Sequence, residues 1–322
     1  MIEFLNRRAA RRWLLIAAFL LSAIAAFGWK VRHPQDLVDA LAIVDVTGSM
    51  MVRDIDNGSR NRLEAARSTL VELSQALPCS SRLGLGIFTE RRSFVLFDPV
   101  EVCANYDAFA GAVAGLDWRM AWEGDSYIAK GLYSAIEEAL PAKSNLLFVT
   151  DGHEAPPLPV SGVPDFEGKP GEIKGVILGV GGREKSPIPK FDDDGREIGV
   201  YGTGDVSHDN RHGLPGKSAS SAEGWHPRNA PFGGQAAVGE EHLSSLRAEH
   251  LKDLAQRTGL IYAEQQNGAH ELARTLRSVA SRSSEVDTDI SSLPALVALS
   301  LLALLYAIAW RTSASRLLPA YH

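Results

Sequence analysis

Residues 37–50 read LVDALAIVDVTGSM, and this stretch decides the fold class. Residues 37–44 form a nearly continuous apolar run, which ends at Asp45. Such a run is typical of a strand that is buried on both faces of a parallel sheet. Ligands of open α/β sheets bind at the carboxyl ends of strands, so Asp45 stands where a ligand group is expected.

The rest of the chain alternates segments of helical spacing with short apolar runs. Helical spacing of apolar residues predicts helices at 62–77, 106–116, 127–140, 243–257 and 270–281. Short apolar runs predict further strands at 83–88, 93–97, 146–149, 175–180 and 260–263. The alternation predicts an α/β fold with a doubly wound, mostly parallel central sheet flanked by helices.

Two segments interrupt this alternation. Residues 153–174 are rich in proline and glycine, and residues 181–241 form a longer insertion. Within the insertion, residues 189–201 predict a hairpin with a type I′ turn at Asp194-Gly195. Loops longer than about 12–15 residues are often functional, so we expect the insertion to project from the ligand-bearing end of the sheet or from an adjacent edge and to contact a partner.

The composition limits the class of partner. The formal net charge is −6 and 45% of the residues are hydrophobic, which suits a globular protein with a sizeable core. No basic patch recurs along the chain, and this argues against nucleic acid as a partner.

Two apolar segments, 13–29 and 293–310, lie outside the α/β pattern. Each is about as long as a membrane span, which needs ~17–25 residues, and tryptophans stand at their ends. Arginines flank both segments on their outer sides, at Arg7, Arg8, Arg11, Arg12, Arg311 and Arg316. The positive-inside rule then predicts a two-span protein of the cell inner membrane. Its parts are a cytoplasmic N-terminus (1–12), a periplasmic domain (30–290) and a cytoplasmic tail (311–322).

Alternatives exist for both segments. The first resembles a cleaved signal peptide, but its apolar run is long and no clear cleavage site precedes Trp29. The second resembles a buried core helix, but it lacks the polar face that such helices usually keep. Spans are therefore the favoured interpretation of both.

The two cysteines, Cys79 and Cys103, have no metal-ligand spacing. In a reducing compartment they are two lone thiols, and in an oxidising compartment a disulfide between them is expected. The predicted periplasmic location favours the disulfide.

Oxygen-bearing side chains follow two of the predicted strands. Asp45, Thr47 and Ser49 alternate after the first strand, and Asp151 follows the strand at 146–149. Carboxylates and hydroxyls without imidazole or thiolate are hard ligands, which select Mg²⁺, Ca²⁺ or Mn²⁺. Gly48 is expected to let the chain turn tightly between the ligands.

Three separated motifs resemble one known family, the von Willebrand factor A (VWA) domains. Residues 45–49 read DVTGS and resemble the D-x-S-x-S motif of that family's metal-ion-dependent adhesion site (MIDAS). Residues 122–126 read WEGDS and resemble the loop that supplies a threonine, while residues 150–152 read TDG as in the family. The resemblance covers about residues 37–283 and implies a Rossmann-like VWA fold.

The resemblance also implies a role for each residue of the site. Thr47, Ser49 and Ser126 would bind the metal, most simply Mg²⁺, through hydroxyls, while Asp45 and Asp151 would bind largely through waters. One coordination position would stay open for an Asp or Glu of a protein partner. Thr47 stands where the family has serine, and Ser126 stands where it has threonine. Both differences keep the hydroxyl. The helix usual between the last two central strands is missing.

A narrower resemblance is to the MxaL-type membrane VWA proteins that accompany bacterial methanol dehydrogenase. Residues 150–157 (TDGHEAPP) and 189–196 (PKFDDDGR) carry it. It implies maturation or calcium loading of methanol dehydrogenase, with that enzyme or other VWA accessory proteins as partners. The alternative is an aerotolerance-type membrane VWA scaffold in stress response or complex assembly.

Other features have simpler interpretations. No catalytic motif of recognised spacing is present, so a binding module is favoured over an enzyme, for which His153 would be the only candidate base. Asp54 and Asp56 are expected to be solvated turn residues. Four histidines in or next to the insertion, His208, His212, His226 and His242, are expected to be surface residues rather than a second metal site.

Overall fold

The computed structural model describes residues 2–28, 30–122, 124–159, 161–192, 194–206, 240–280 and 282–314. The chain divides into two compact units, one formed by residues 36–282 and the other by residues 1–35 together with 283–322.

The regular elements are named here in chain order. The helices are α1 (Ile2–Ala26), α2 (Arg62–Ala76), α3 (Tyr106–Ala114), α4 (Ile128–Ala139), α5 (Ala248–Thr258), α6 (Ala269–Ser278) and α7 (Ser292–Ala314). The strands are β1 (Lys30–Leu37), β2 (Asp39–Asp45), β3 (Arg82–Thr89), β4 (Arg92–Glu101), β5 (Asn145–Thr150), β6 (Gly175–Gly179), β7 (Ser186–Pro187), β8 (Pro189–Phe191), β9 (Glu197–Val200), β10 (Leu243–Ser244), β11 (Ile261–Glu264) and β12 (Arg282–Asp289).

The larger unit is built on a six-stranded sheet of order β11-β6-β5-β2-β3-β4. All neighbours in it run parallel except β3 and β4, which form an antiparallel pair. The predicted α/β fold with a mostly parallel central sheet is therefore confirmed.

Alternate residues of β2 enter two separate cores, which explains its continuous apolar sequence. Ala40, Ala42 and Val44 pack on one face with apolar residues of α2, α3 and α6. Leu41 and Ile43 pack on the other face with residues of α4 and α5. A strand with helices on both faces has no solvent side, so it cannot alternate apolar and polar residues.

Local capping fixes where α2 begins. The Asn61 side chain accepts a hydrogen bond from the Glu64 backbone N–H at 2.8 Å, and Glu64 accepts one from the Asn61 N–H at 3.0 Å. This reciprocal capping box satisfies two N–H groups that the first helical turn leaves unpaired. It also sets Arg62 at the first position of the helix.

Two predicted boundaries differ from the structure. The helix expected at 243–257 begins only at Ala248, because Leu243 and Ser244 pair with Pro187 and Ser186 as the short ladder β10–β7. The predicted hairpin exists as β8–β9, but its loop closes between Asp192 and Arg196 rather than on two residues. Asp192 Oδ1 accepts from the N–H groups of Asp194 and Arg196, which stabilises the longer loop. Asp193 lies outside the described residues.

The smaller unit contains α1 and α7, which contact each other, and the two-stranded sheet β1-β12. The prediction of membrane spans at 13–29 and 293–310, and with it the two-span inner-membrane localisation, is wrong. Among the described residues no helix combines the length and the apolar character that crossing a membrane requires. Trp29 and Arg316, used in that prediction, lie outside the described residues.

The disulfide prediction is confirmed. Cys79 and Cys103 are bonded, with their Cα atoms 5.3 Å apart, and they join the end of α2 to the end of β4. The helix expected to be missing between β5 and β6 is likewise absent from the described part of residues 151–174.

Candidate metal site

Asp45, the last residue of β2, is fully buried and is held by neutral donors. The Thr47 backbone N–H and the Thr47 hydroxyl donate to its Oδ1 at 2.9 and 2.7 Å. Thr150, at the end of the neighbouring strand β5, donates its hydroxyl to Oδ2 at 2.6 Å. Both carboxylate oxygens therefore have hydroxyl partners, and neither has a cationic partner within the described part of the chain.

A short 3₁₀ helix, Gly48–Met51, follows and places Ser49. The hydroxyl oxygens of Thr47 and Ser49 are 3.4 Å apart. Gly48 does not have a positive φ, and an added Cβ would meet only Ile188, at 3.9 Å, so the predicted need for glycine here is wrong. The glycine that the site requires is Gly152, with φ +77° and Leu251 only 2.9 Å from an added Cβ.

Asp151 is also fully buried, but its partner is a cation. Arg62 Nη1 donates to Asp151 Oδ2 at 2.5 Å, and the Ser244 hydroxyl donates to the same oxygen at 3.0 Å. Oδ1 accepts from the His153 backbone N–H at 2.9 Å. Neither Arg62 nor Asp151 exposes any side-chain surface.

Arg62 binds a second carboxylate, that of Asp54. Its Nε and Nη2 donate to Asp54 at 3.0 and 2.6 Å, and Asp54 also accepts from the Gly182 N–H at 2.8 Å. The Asp54 side chain is only 9% exposed. The expectation that Asp54 is solvated is therefore wrong, because it compensates a buried guanidinium; Asp56, 59% exposed and paired with Arg60, is a surface residue as expected.

Ser126 reaches the site through contacts with the segment after Asp151. Its backbone N–H and C=O pair with those of Ala155 at 2.6 and 2.8 Å. The Glu154 carboxylate accepts from the N–H groups of Ile128 and Ala129 and so caps the start of α4. The Ser126 hydroxyl is buried and has no hydrogen-bond partner among the described residues.

One cavity brings the three hydroxyls together. It has a volume of about 520 Å³, and its wall includes Thr47, Ser49 and Ser126. Other residues of the wall are aromatic or charged, with Trp118, Trp122, His153, Lys190, Tyr201 and Glu241 among them. Lys190, Tyr201 and Glu241 belong to the insertion, so its described part lies at this end of the sheet. Glu123, within the predicted loop, lies outside the described residues.

The two aspartates, Asp45 and Asp151, differ in the direction in which their pKa values are shifted. Burial, together with the nearby charge of Asp151, raises the pKa of Asp45 to about 7. Burial also disfavours ionisation of Asp151, but the charge of Arg62, with weaker contributions from His153, outweighs it and lowers the pKa of that group. Burial lowers the pKa of His153, against the opposing charges of Asp151 and Glu241.

These residues fit a divalent metal. The Ser126 hydroxyl is an unpaired polar atom on the cavity wall, and buried polar atoms normally have partners. The raised pKa of Asp45 marks a buried negative charge that the protein's own groups do not compensate. Hydroxyl and carboxylate oxygens are the donors that hard divalent ions prefer.

The structure thus assembles all five predicted residues at the carboxyl ends of β2 and β5, and it adds groups that the sequence did not indicate. Thr150, Arg62 and Ser244 were not singled out as partners of the aspartates. Of the four histidines in or next to the insertion, only His242 is among the described residues. His208, His212 and His226 lie outside them.

Residues 40–153 match the family described as von Willebrand factor type A domain. The matched segment contains Asp45, Thr47, Ser49, Ser126 and Asp151. Together with the sheet topology, the match defines a VWA-like α/β fold. No curated protein sequence is significantly similar to the chain.

Solved structures with a similar arrangement include an aerotolerance-related membrane protein from Bacteroides fragilis, at 14% identity and a TM-score of 0.45, covering 75% of this chain and 99% of that one. Another is the conserved hypothetical protein BatB from Bacteroides thetaiotaomicron, at 16% identity and a TM-score of 0.44, covering 74% and 98%. A third is proximal thread matrix protein 1 from the mussel byssus, with a zinc-occupied MIDAS motif, at 13% identity and a TM-score of 0.29, covering 46% and 40%.

Proposed function

We propose that the chain is a metal-dependent protein-binding module rather than an enzyme. Asp45, Thr47, Ser49, Ser126 and Asp151 hold a divalent metal, with Mg²⁺ as the simplest occupant. An Asp or Glu side chain of a protein partner completes the coordination. The observation that carries the proposal is the convergence of three hydroxyls from two separate loops on one cavity in front of two buried aspartates.

The charges around the site explain why a partner's carboxylate would need the metal. Asp45 has no cationic partner in the described structure, while Arg62 already compensates Asp151. An incoming carboxylate without metal would meet uncompensated negative charge at Asp45. A bound cation inverts that local electrostatics, and it retains enough positive charge to attract an acidic ligand because the protein supplies so few charges.

The size of the cavity favours a protein side chain over a bare anion. At about 520 Å³ it holds more than one carboxylate, and its aromatic wall includes Trp118 and Trp122. The Trp118 ring stacks on Phe191 at 4.8 Å, and Trp122 packs edge-on against Phe94 at 4.9 Å. These contacts fix the tryptophans, and rigid aromatic groups are typical of protein-binding surfaces.

The test is metal-dependent stabilisation followed by ligand capture. Mg²⁺ or Mn²⁺ should raise the melting temperature of the full-length chain but not that of Asp45→Ala. With metal present, an immobilised panel of peptides with a central Asp should retain the wild type, whereas Asn-substituted twins should not. EDTA should abolish capture.

Asp56→Ala is the matched control, because Asp56 is an exposed aspartate a few residues from the site. It should behave as wild type in both assays. If Asp45→Ala keeps metal-dependent stabilisation and peptide capture at wild-type strength, the adhesion-site proposal is wrong and a scaffold without a working site replaces it.

Two biological processes are candidates for such a binding module. The comparisons provide no support for maturation or calcium loading of methanol dehydrogenase. Two similar structures are named as an aerotolerance-related membrane protein and as BatB, and these names fit the alternative of a scaffold in stress response or complex assembly better.

A further inference from the structure

His153 is a buried imidazole whose ring nitrogens are not hydrogen-bonded. Its side chain is 2% exposed, and neither ring nitrogen has a hydrogen-bond partner among the residues that the structure describes. Such groups are rare in folded proteins, because a buried polar atom without a partner costs about 1–3 kcal/mol. An unpaired imidazole therefore calls for a ligand.

The position of His153 indicates which ligand. It lies two residues after Asp151, and its backbone N–H is bonded to Asp151 Oδ1. Its side chain lines the same cavity as Thr47, Ser49 and Ser126. The Ser126 hydroxyl, on the same wall, also lacks a partner. Two unpaired donor groups, one oxygen and one nitrogen, thus face a cavity beside two buried carboxylates.

Glu241 is placed to support the imidazole. Its Oε2 lies 4.0 Å from His153 Nε2, beyond hydrogen-bonding distance but within reach of a small side-chain movement. A histidine that binds a metal through one nitrogen usually donates its other N–H to a carboxylate or carbonyl. Glu241 is a carboxylate in that position.

We propose that His153 supplies an imidazole nitrogen to the metal at this site, with Glu241 as its hydrogen-bond partner. The inference rests on the proposed function and makes it more specific. Imidazole favours first-row transition ions, whereas Mg²⁺ and Ca²⁺ take oxygen almost exclusively. The site therefore prefers a transition ion such as Mn²⁺ or Zn²⁺ over Mg²⁺, unlike a site of oxygen ligands alone.

Mn²⁺ is the probe, because it is paramagnetic and reports a bound nitrogen directly. Electron spin-echo envelope modulation of the Mn²⁺-loaded full-length chain should show nitrogen modulation that His153→Ala removes. Asp45→Ala should lose the Mn²⁺ signal of the site. Any signal that remains in this variant therefore comes from Mn²⁺ bound elsewhere. His250→Ala is the matched control, since His250 is also partly buried but bonds Glu154 instead of lining the cavity.

Affinity gives a second, independent measure. His153→Ala should weaken Mn²⁺ binding by about tenfold or more, since loss of even an outer partner of a ligand costs roughly 10–100-fold. Mg²⁺ affinity, measured by displacement of Mn²⁺, should change much less, so that the Mn²⁺ preference falls. Glu241→Gln should weaken Mn²⁺ binding less than His153→Ala does.

The outcomes separate the two proposals. Mn²⁺ binding that depends on Asp45 but shows no nitrogen modulation overturns the role of His153 and leaves the metal site intact. An unchanged preference for Mn²⁺ over Mg²⁺ in His153→Ala has the same consequence. Absence of Mn²⁺ binding, or binding that Asp45→Ala does not affect, overturns the metal site itself.

Discussion

Two aspartates, Asp45 and Asp151, follow neighbouring parallel strands and have opposite electrostatic environments. Both are fully buried. Asp45 is surrounded by hydroxyls and its pKa rises to about 7, whereas Asp151 is paired with Arg62 and its pKa falls. Burial is the same in the two cases, so the difference comes mainly from the guanidinium of Arg62, with weaker contributions from His153.

This difference assigns separate tasks to the two residues. Asp151 is compensated by the protein and serves to hold the loop that carries Gly152 and His153. Asp45 is compensated only when a proton or an added cation arrives. In the proposed metal site, Asp45 is therefore the carboxylate whose negative charge the bound metal compensates.

The largest expected effect is that of removing the guanidinium. Arg62→Ala leaves Asp151 and Asp54 buried without a counter-charge, and we expect it to lower the free energy of unfolding by about 3–5 kcal/mol. Arg60→Ala, which breaks an exposed pair with Asp56, should cost no more than about 1 kcal/mol. Urea denaturation of both variants provides the measurement, and equal losses would show that Arg62 does not create the contrast.

A pH titration of stability examines Asp45. Its folded pKa, about 7, lies above the ordinary value of 3.8, so the folded state holds its proton more tightly than the unfolded state does. Stability of the metal-free protein should then fall as pH rises from about 4 to about 7, by roughly 3 kcal/mol attributable to this group. Asp45→Asn should remove that part of the fall, and saturating metal should also remove it in the wild type, because metal binding favours the carboxylate. Denaturation curves at several pH values decide this, and a fall that is unchanged in Asp45→Asn would contradict the assignment.

The Asp→Asn substitution at Asp151 should change the stability of the metal-free protein in the opposite direction to Asp45→Asn. Asp151→Asn removes charge-assisted bonds to Arg62 and should lower stability at neutral pH by about 2 kcal/mol. At that pH Asp45→Asn should raise the stability of the metal-free protein. Thermal melts of both variants in EDTA test the comparison, with Asp56→Asn as the exposed control; if both buried variants shift in the same direction, the proposed division of tasks fails.

The smallest effect on stability is expected at the hydroxyls. The Ser126 hydroxyl has no partner, so Ser126→Ala should change the free energy of unfolding by less than about 0.5 kcal/mol. Its metal affinity should nevertheless fall, because a ligand is lost. Thr47→Ser keeps the hydroxyl and should leave metal affinity near the wild-type value. Calorimetric metal titration separates the two, and undiminished affinity in Ser126→Ala would remove this residue from the site.

The sequence predicted what depends on neighbouring residues. Continuous apolar runs predicted the buried strands, and the oxygen-bearing residues from Asp45 to Ser49 were recognised as neighbours at the end of one strand, while the metal site itself stays a prediction. Two partners of Arg62, Asp151 and Ser244, are 89 and 182 positions away, so its position at the start of a helix gave no sign that it is buried. Asp54 was misjudged because its burial depends on that buried guanidinium and on Gly182, 128 positions away.

Other errors have their own physical causes. The strands β1 and β12, KVRHPQDL and RSSEVDTD, are polar and lack the alternation by which half-buried strands are recognised. The length and apolar composition of two segments, with tryptophans at their ends and arginines beside them, led to the prediction of two membrane spans. Ser244 stands in a segment that has helical spacing but forms a two-residue ladder instead.

The base of the insertion has a consequence for how this chain tolerates changes in length. Asp54 accepts a bond from Gly182, Arg62 donates to Ser244, and the ladder β7–β10 joins the outgoing and returning strands. With both ends fixed to the core, each doubling of the intervening loop costs only about 0.6 kcal/mol of closure entropy. Residues inserted beyond the ladder should therefore be tolerated beside the cavity. They should not disturb the hydrogen bond between Thr150 and Asp45.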